Sequence, residues 1–349
     1  MSHQTSELPI GLAGKQYEIS QVSLAVKDAN ALVPLYYDTF GWGGWKVFDH
    51  VPPLHHDTER HGRPTPYTLR GAEVQVGPIN FELLQPLSGE NVWQEHIDAR
   101  GEGIASIATM FLTNEEGEAV KKAFRDELGL AVTLVGHIGP HIEYYYLDTE
   151  PDFGCLIESG SGHALDFVPA TYEYPADGSL LAPSPVSGIT YPITQVSLTV
   201  RDLEAKIKAY HRAFGWGPWR VYDSADAMSD CQVAGEPADF HIRWAETMVG
   251  DMNFELVEPL GGPSPWQEHL DTIGQGLCSI SVAIPDAATN DRVREQFAAQ
   301  GIGVKASGRI GSAADWFVLD TKAAFKCLIK GGTGHGFASD APHTEVSGG

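Results

Sequence analysis

Gln21-Val22-Ser23-Leu24-Ala25-Val26-Lys27-Asp28 decides the architecture, because the chain writes it twice: Gln195-Val196-Ser197-Leu198-Thr199-Val200-Arg201-Asp202 follows 174 positions later. The stretch alternates apolar Val22, Leu24 and Val26 with polar or small Gln21, Ser23 and Ala25, the period of a strand with one dry face. Asp28 is a good N-cap, and Ala29 to Phe40 reads as a helix stopped by Gly41 and bent by Pro34. Downstream motifs return in the same order. Phe40-Gly41-Trp42 recurs as Phe214-Gly215-Trp216, Asn80-Phe81-Glu82-Leu83 as Asn253-Phe254-Glu255-Leu256, and Trp93-Gln94-Glu95-His96 as Trp266-Gln267-Glu268-His269. Cys155-Leu156-Ile157-Glu158 recurs as Cys327-Leu328-Ile329-Lys330, so the offset drifts only from 174 to 172. A whole domain is duplicated in tandem.

Each half divides again. Strand-like runs at Trp45–Phe48, Tyr67–Val76 and Pro78–Leu84 follow the first helix, giving the order β-α-β-β-β. Ile104–Leu112 opens a second unit of the same order, with a capping box at Thr113 and Glu116. The chain is therefore expected to be an α+β protein of four βαβββ modules in two domains, residues 15–168 and 191–336. Residues 169–190, rich in proline, glycine and serine, read as an extended linker; residues 1–14 and 337–349 read as flexible tails. The loop composition of 50–66, with four histidines lacking ligand spacing, predicts a solvated loop.

The 349 residues carry a net charge of −23, which disfavours nucleic acid and anionic membrane as partners. No apolar run approaches the roughly 18 residues of a spanning helix, and the N-terminus lacks the order of a secretory signal. Four cysteines outside CxxC spacing point to free thiols and a cytoplasmic location. A monomer, internally a pseudo-dimer, or a homodimer that binds a small molecule is expected.

The module order, the glutamate that closes a strand and the Gly-Glu-Gly-Ile turn at 101–104 resemble the vicinal oxygen chelate superfamily, in layout closest to methylmalonyl-CoA epimerase-like and glyoxalase/bleomycin-resistance proteins. The resemblance implies that two modules curl into one cup whose first and last strands present four inward ligands for a divalent metal. Carried onto this chain, those positions are Gln21, Glu82, Ser106 and Glu158 in the first half, and Gln195, Glu255, Ser279 and Lys330 in the second. The usual histidines are absent from both halves. An extradiol dioxygenase would need a His, His, Glu set where the second half has Gln195, Ser279 and Lys330, and that reading is set aside.

Strand alternation adds His141, Glu143 and Tyr145 to the first cup, and Asp315 and Phe317 to the second. So much polarity on one face argues for a ligand-holding cavity, because unpaired buried polar groups are costly. Glu82, Glu158 and Gln21 offer oxygen to Mg²⁺, Mn²⁺ or Ca²⁺ in the first domain only. Glu82 or Glu158 is the candidate base and His141 and Tyr145 its candidate catalytic partners, with Gln21, Ser106, Glu143, Gln195, Glu255, Ser279 and Lys330 as substrate contacts. The expected activity is proton transfer on a small carbonyl-containing or aromatic molecule, by an isomerase, epimerase or lyase. The alternative is a metal-free binding or sequestering protein. Lys330 is expected to pair with Glu255, and Trp93, Trp42, Trp45, Trp216 and Trp219 to serve packing.

Overall fold

The computed structural model describes residues 17–110 and 113–348; the expected tail at 1–14 lies outside them. Two eleven-stranded, curled sheets carry the chain. The first comprises β1 (Gln21–Ala25), β2 (Trp45–His50), β3 (His55–Arg60), β4 (Arg63–Pro64), β5 (Thr68–Val76), β6 (Ile79–Ser88), β7 (Gly103–Met110), β8 (Val132–Ile138), β9 (Ile142–Leu147), β10 (Leu156–Gly160) and β11 (Tyr172–Tyr174). Their order is 11-2-5-6-1-7-10-9-8-3-4. Each module closes by pairing its first strand in parallel with its last, β1 with β6 and β7 with β10, and the modules join where β1 meets β7 antiparallel.

The second sheet repeats this with β12 (Ile193–Thr199), β13 (Trp219–Asp223), β14 (Met228–Val233), β15 (Glu236–Pro237), β16 (His241–Val249), β17 (Met252–Gly261), β18 (Gly276–Ala283), β19 (Val304–Ile310), β20 (Ala314–Leu319), β21 (Leu328–Gly332) and β22 (Thr344–Val346). Gln21 lies opposite Asn80 and Gln195 opposite Asn253, as the duplication requires.

Three expectations need correction. The 50–66 stretch is not an open loop, because β3 pairs with β8 and extends the sheet of the second module. The linker is not free: β11 pairs with β2, and the Ala182 N–H donates to the Gly41 carbonyl at 2.9 Å. A Cβ on Gly41 would meet the Ala182 carbonyl at 2.3 Å, and Gly41 has φ +74°, so glycine is needed there twice over. Residues 344–346 are likewise no loose tail, since β22 pairs with β13 as β11 does with β2. Short polar segments of this kind have no hydrophobic period, and only an unpaired sheet edge recruits them.

The helix Ala29–Phe40 begins on an Asp28 cap, contains Pro34 and ends at Gly41, and Thr113 accepts from the Glu116 N–H at 3.1 Å. The first-strand residues Val22, Leu24, Val196 and Leu198 face the helices, and both helical faces merge into one apolar core. Its contacts are reciprocal. Tyr36 Oη donates to the Phe325 carbonyl at 2.6 Å, and Tyr210 Oη to the Phe153 carbonyl at 3.1 Å. Trp42 Nε1 donates to the Tyr191 carbonyl and Trp216 Nε1 to that of Tyr17. The domains thus sit back to back about a pseudo-twofold, with Trp42, Trp45, Trp216 and Trp219 in the shared core, and the cups lie on the faces turned apart. Cys155, Cys278 and Cys327 are buried free thiols and Cys231 is partly exposed. No helix among the described residues is long and apolar enough to cross a membrane.

Candidate functional sites in the two cups

The tight turns between β5 and β6, and between β16 and β17, set what each cup contains. With Val76 opposite Ile79, Glu73 falls opposite Glu82; with Val249 opposite Met252, Glu246 falls opposite Glu255. Each cup therefore holds a carboxylate pair from one hairpin, and Glu73 and Glu246 join the residues named from sequence.

In the first cup, Gln21, Glu73, Glu82 and Glu158 line a cavity of about 30 Å³. Ser23 Oγ donates to Glu82 Oε2 at 2.7 Å, Asn80 Nδ2 to Glu73 Oε2 at 2.7 Å, and Tyr146 Oη to Glu158 Oε2 at 2.6 Å. Among the described residues no lysine or arginine lines this cavity. Burial raises all three carboxyls, Glu73 to about 7 and Glu158 to about 8, and the charge of Glu158 then raises Glu82 further. Ser106 is buried opposite Ser23 with its hydroxyl unpartnered.

The period-two assignment along β9 is reversed. Glu158 lies opposite Tyr146, so Tyr146 and Tyr144 enter the cup. Tyr145 instead joins the core beneath the helices, Glu143 pairs with Lys121 Nζ at 2.5 Å, and His141 is exposed at the turn before β9. Three consecutive tyrosines give alternation nothing to choose between, and a one-residue slip inverts every side chain. In β20 the same slip puts Phe317 in the shared core and Trp316 in the cup.

Histidines from the expected loop also enter. His50 lines the first cavity and His55 Nε2 meets Tyr144 Oη at 2.8 Å, while His163, which follows β10, lines the cavity too. Burial holds His50 neutral, its pKa pushed down to about 3, and His55 to about 4. Trp93 lines the cup too and donates to Tyr146 Oη at 3.3 Å, so its role is not packing alone.

The second cup has the same frame and a different filling. Lys330 Nζ donates to Glu255 Oε2 at 2.6 Å, Gln195 Oε1 at 2.9 Å and Ser197 Oγ at 3.5 Å, which uses all three of its protons. Ser279 is buried opposite Ser197. Above this neutralised floor lies a cavity of about 250 Å³ walled by Trp244, Trp266, Trp316, Met228, Ile242 and Val257. Trp244 occupies the position of Gly71, over which His50 sits in the first cup; a Cβ on Gly71 would lie 3.1 Å from His50 Nε2. His50 and Tyr146 line the first cavity, and Tyr146 stands where the second domain has the smaller Val318.

Sequence comparison matches residues 194–319 to the model of the glyoxalase/bleomycin resistance protein/dioxygenase superfamily. The first half repeats that region in motif order and in strand order. The second half thus matches this superfamily, and the first half is similar to it through the duplication. A search of curated proteins finds no match. Among solved structures, a triple mutant of 4-hydroxymandelate synthase from Streptomyces coelicolor is similar at 12% identity and TM-score 0.53, covering 91% of this chain and 92% of that one. A xylose isomerase-like TIM barrel/4-hydroxyphenylpyruvate dioxygenase fusion protein aligns at 12% identity and TM-score 0.51, over 94% of this chain and 52% of its own. A Mn(II)-bound glyoxalase from Novosphingobium aromaticivorans aligns at 13% identity and TM-score 0.48, over 95% and 84%. At such identities the likeness is one of fold.

Superfamily members often use a divalent metal. Among the described residues no three His, Cys, Asp or Glu side chains converge as ligands of one ion. Beside Glu73, the first cup nevertheless offers the carboxyl oxygens of Glu82 and Glu158 and the amide oxygen of Gln21. Gln21 Oε1 is buried without a donor, whereas its counterpart Gln195 Oε1 receives the ammonium of Lys330. A cation beside Gln21 would complete the first cup as Lys330 completes the second. Oxygen donors suit Mg²⁺, Mn²⁺ or Ca²⁺ rather than Zn²⁺.

Proposed function

We propose that the protein binds a small, largely aromatic molecule in the cup of its second domain. The observation that carries this reading is the cavity of about 250 Å³ between Trp244, Trp266 and Trp316. An apolar cavity of about 150 Å³ admits benzene, so a ring with one or two substituents has room. The floor is electrically neutral because Lys330 and Glu255 cancel, which favours an uncharged ring over a strong acid or an amine. Binding of this kind needs no metal.

A specific observation also supports an isomerase, epimerase or lyase in the first cup. Glu158 and Glu73 are raised toward neutrality, the range in which a carboxylate serves best as a general base. There Glu158 or Glu82 would take a proton next to a carbonyl, while Tyr146 Oη would donate to the oxygen on which charge builds. Gln21, Glu82 and Glu158 would hold a hard divalent cation, which supplies a Lewis acid for that oxygen. A cavity of about 30 Å³ admits an ion or a water, so substrate has to displace Tyr144 or His50 to enter.

Titration of tryptophan fluorescence with acetophenone tests the first reading and separates it from the second. Saturable quenching is expected in the parent, lost in Trp266→Ala and retained in Glu158→Gln. Quenching lost in Glu158→Gln and unaffected by Trp266→Ala would transfer the ligand to the first cup.

A further inference from the structure

The two cups differ at one more equivalent set of residues: Glu73, Asn80 and His163 in the first, Glu246, Asn253 and His335 in the second. In the second domain these groups assemble. Glu246 Oε1 accepts from Trp244 Nε1 at 3.0 Å and the Gly336 N–H at 2.8 Å. Its Oε2 accepts from Asn253 Nδ2 and the Phe337 N–H, each at 3.0 Å, and lies 3.2 Å from His335 Nδ1. His335 Nδ1 also lies 3.1 Å from Asn253 Nδ2; the ionised carboxylate, which can only accept, favours the tautomer with the proton on Nδ1. His335 Nε2 has no partner among the described residues, and His335 lines the aromatic cavity with its side chain 27% exposed.

The first domain lacks this arrangement. Glu73 receives Asn80 and the Leu165 N–H, while His163 Nδ1 is buried without a partner. One methyl group accounts for much of the difference. A Cβ on Gly336 would lie 2.7 Å from Glu246 Oε1 and 2.8 Å from the Tyr222 ring, and the corresponding first-domain residue is Ala164. Only the glycine lets the backbone close around the carboxylate and bring the preceding histidine onto it.

We propose that His335, oriented by Glu246, is an acid–base group of the second cup and takes the proton of a phenol-type hydroxyl on the bound ring. The ligand O–H bond breaks, an N–H bond forms at Nε2, and the imidazolium is held by the Glu246 carboxylate while the phenolate remains in the cavity. This deepens the binding reading, on which it rests, by naming a hydroxylated ring as the ligand class.

The probe is 4-nitrophenol, whose absorption distinguishes phenol from phenolate, with tryptophan quenching as a separate report of binding. The parent is expected to quench and to hold the probe with a phenolate-to-phenol ratio about tenfold above that of free probe at the same pH, the worth of one charge-assisted hydrogen bond. His335→Gln is expected to quench likewise and return the ratio to the free value. Absence of quenching in the parent would overturn the binding reading together with this one. Quenching with the ratio unchanged in the parent, or raised equally in His335→Gln, would overturn the role of His335 alone. If His335→Gln does not fold, the ¹⁵N resonances of His335 in the parent decide: Nε2 protonated on addition of probe is expected, and unaltered signals contradict the proposal.

Discussion

Glu73 and Glu246 occupy the same position in the two domains, and their surroundings push them in opposite directions. Burial raises the Glu73 carboxyl from 4.5 to about 7. Burial would raise Glu246 as well, but the hydrogen bonds and charge of His335, with Asn253 and the Phe337 amide, outweigh it and hold Glu246 at about 2. For Glu73 the folded state binds its proton more tightly than the unfolded chain. Its contribution is therefore fully present below pH 4.5 and is lost as pH rises to about 7. For Glu246 the contribution is present above pH 4.5 and is lost as pH falls toward 2. Each gap corresponds to roughly 3 kcal/mol. Urea unfolding of Glu73→Gln and Glu246→Gln between pH 3 and pH 9 measures both. Glu73→Gln is expected to match the parent at pH 4 and to be more stable by up to about 3 kcal/mol at pH 8. Glu246→Gln is expected to be weaker by about 3 kcal/mol at pH 7, the deficit shrinking below pH 4. Differences that do not vary with pH, or a Glu73→Gln variant weaker than the parent at pH 8, would refute the assignment of opposite charge states.

Lys330→Met leaves Glu255 buried without its cation and should cost about 3–5 kcal/mol in urea unfolding, with most of the loss recovered in Lys330→Met/Glu255→Met; a double variant as weak as the single one would contradict this. Glu158→Lys rebuilds in the first cup the arrangement of Gln195, Glu255 and Lys330, and calorimetry should show Mn²⁺ binding by the parent and none by the variant. Gly336→Ala should reduce 4-nitrophenol ionisation as His335→Gln does, because the added methyl meets Glu246 Oε1; unchanged ionisation would mean that the glycine is not what seats the histidine.

The repeat of Gln21–Asp28 made the module order and the duplication legible from residues alone, while strand alternation together with the family resemblance pointed to Gln21, Glu82, Glu158, Gln195, Glu255 and Lys330, from which the Lys330–Glu255 pair follows. Glu73 and Glu246 were also within reach, because the two-residue turns at Gly77-Pro78 and Gly250-Asp251 place them opposite Glu82 and Glu255. Tyr144 and Tyr146 were not: in Ile142-Glu143-Tyr144-Tyr145-Tyr146-Leu147 either register buries aromatic rings, and only pairing with Glu158 across β10 decides. His50 and His55 were hidden by loop-like composition, since the turn around Pro52-Pro53 sits between two strands whose partners are distant in the chain. Nothing local announces that His335 meets Glu246, 89 residues before it, or that Ala164 forbids the like contact in the other half.

The central claim is that one duplicated frame has diverged into an organic-ligand cup and an ion-sized cup. Crystals soaked with 4-bromophenol and Mn²⁺ together, read by anomalous diffraction at the bromine and manganese edges, test it most directly. Bromine is expected between Trp244, Trp266 and Trp316 and manganese beside Gln21, Glu82 and Glu158. Bromine in the first cup, or manganese beside Lys330, would contradict the account.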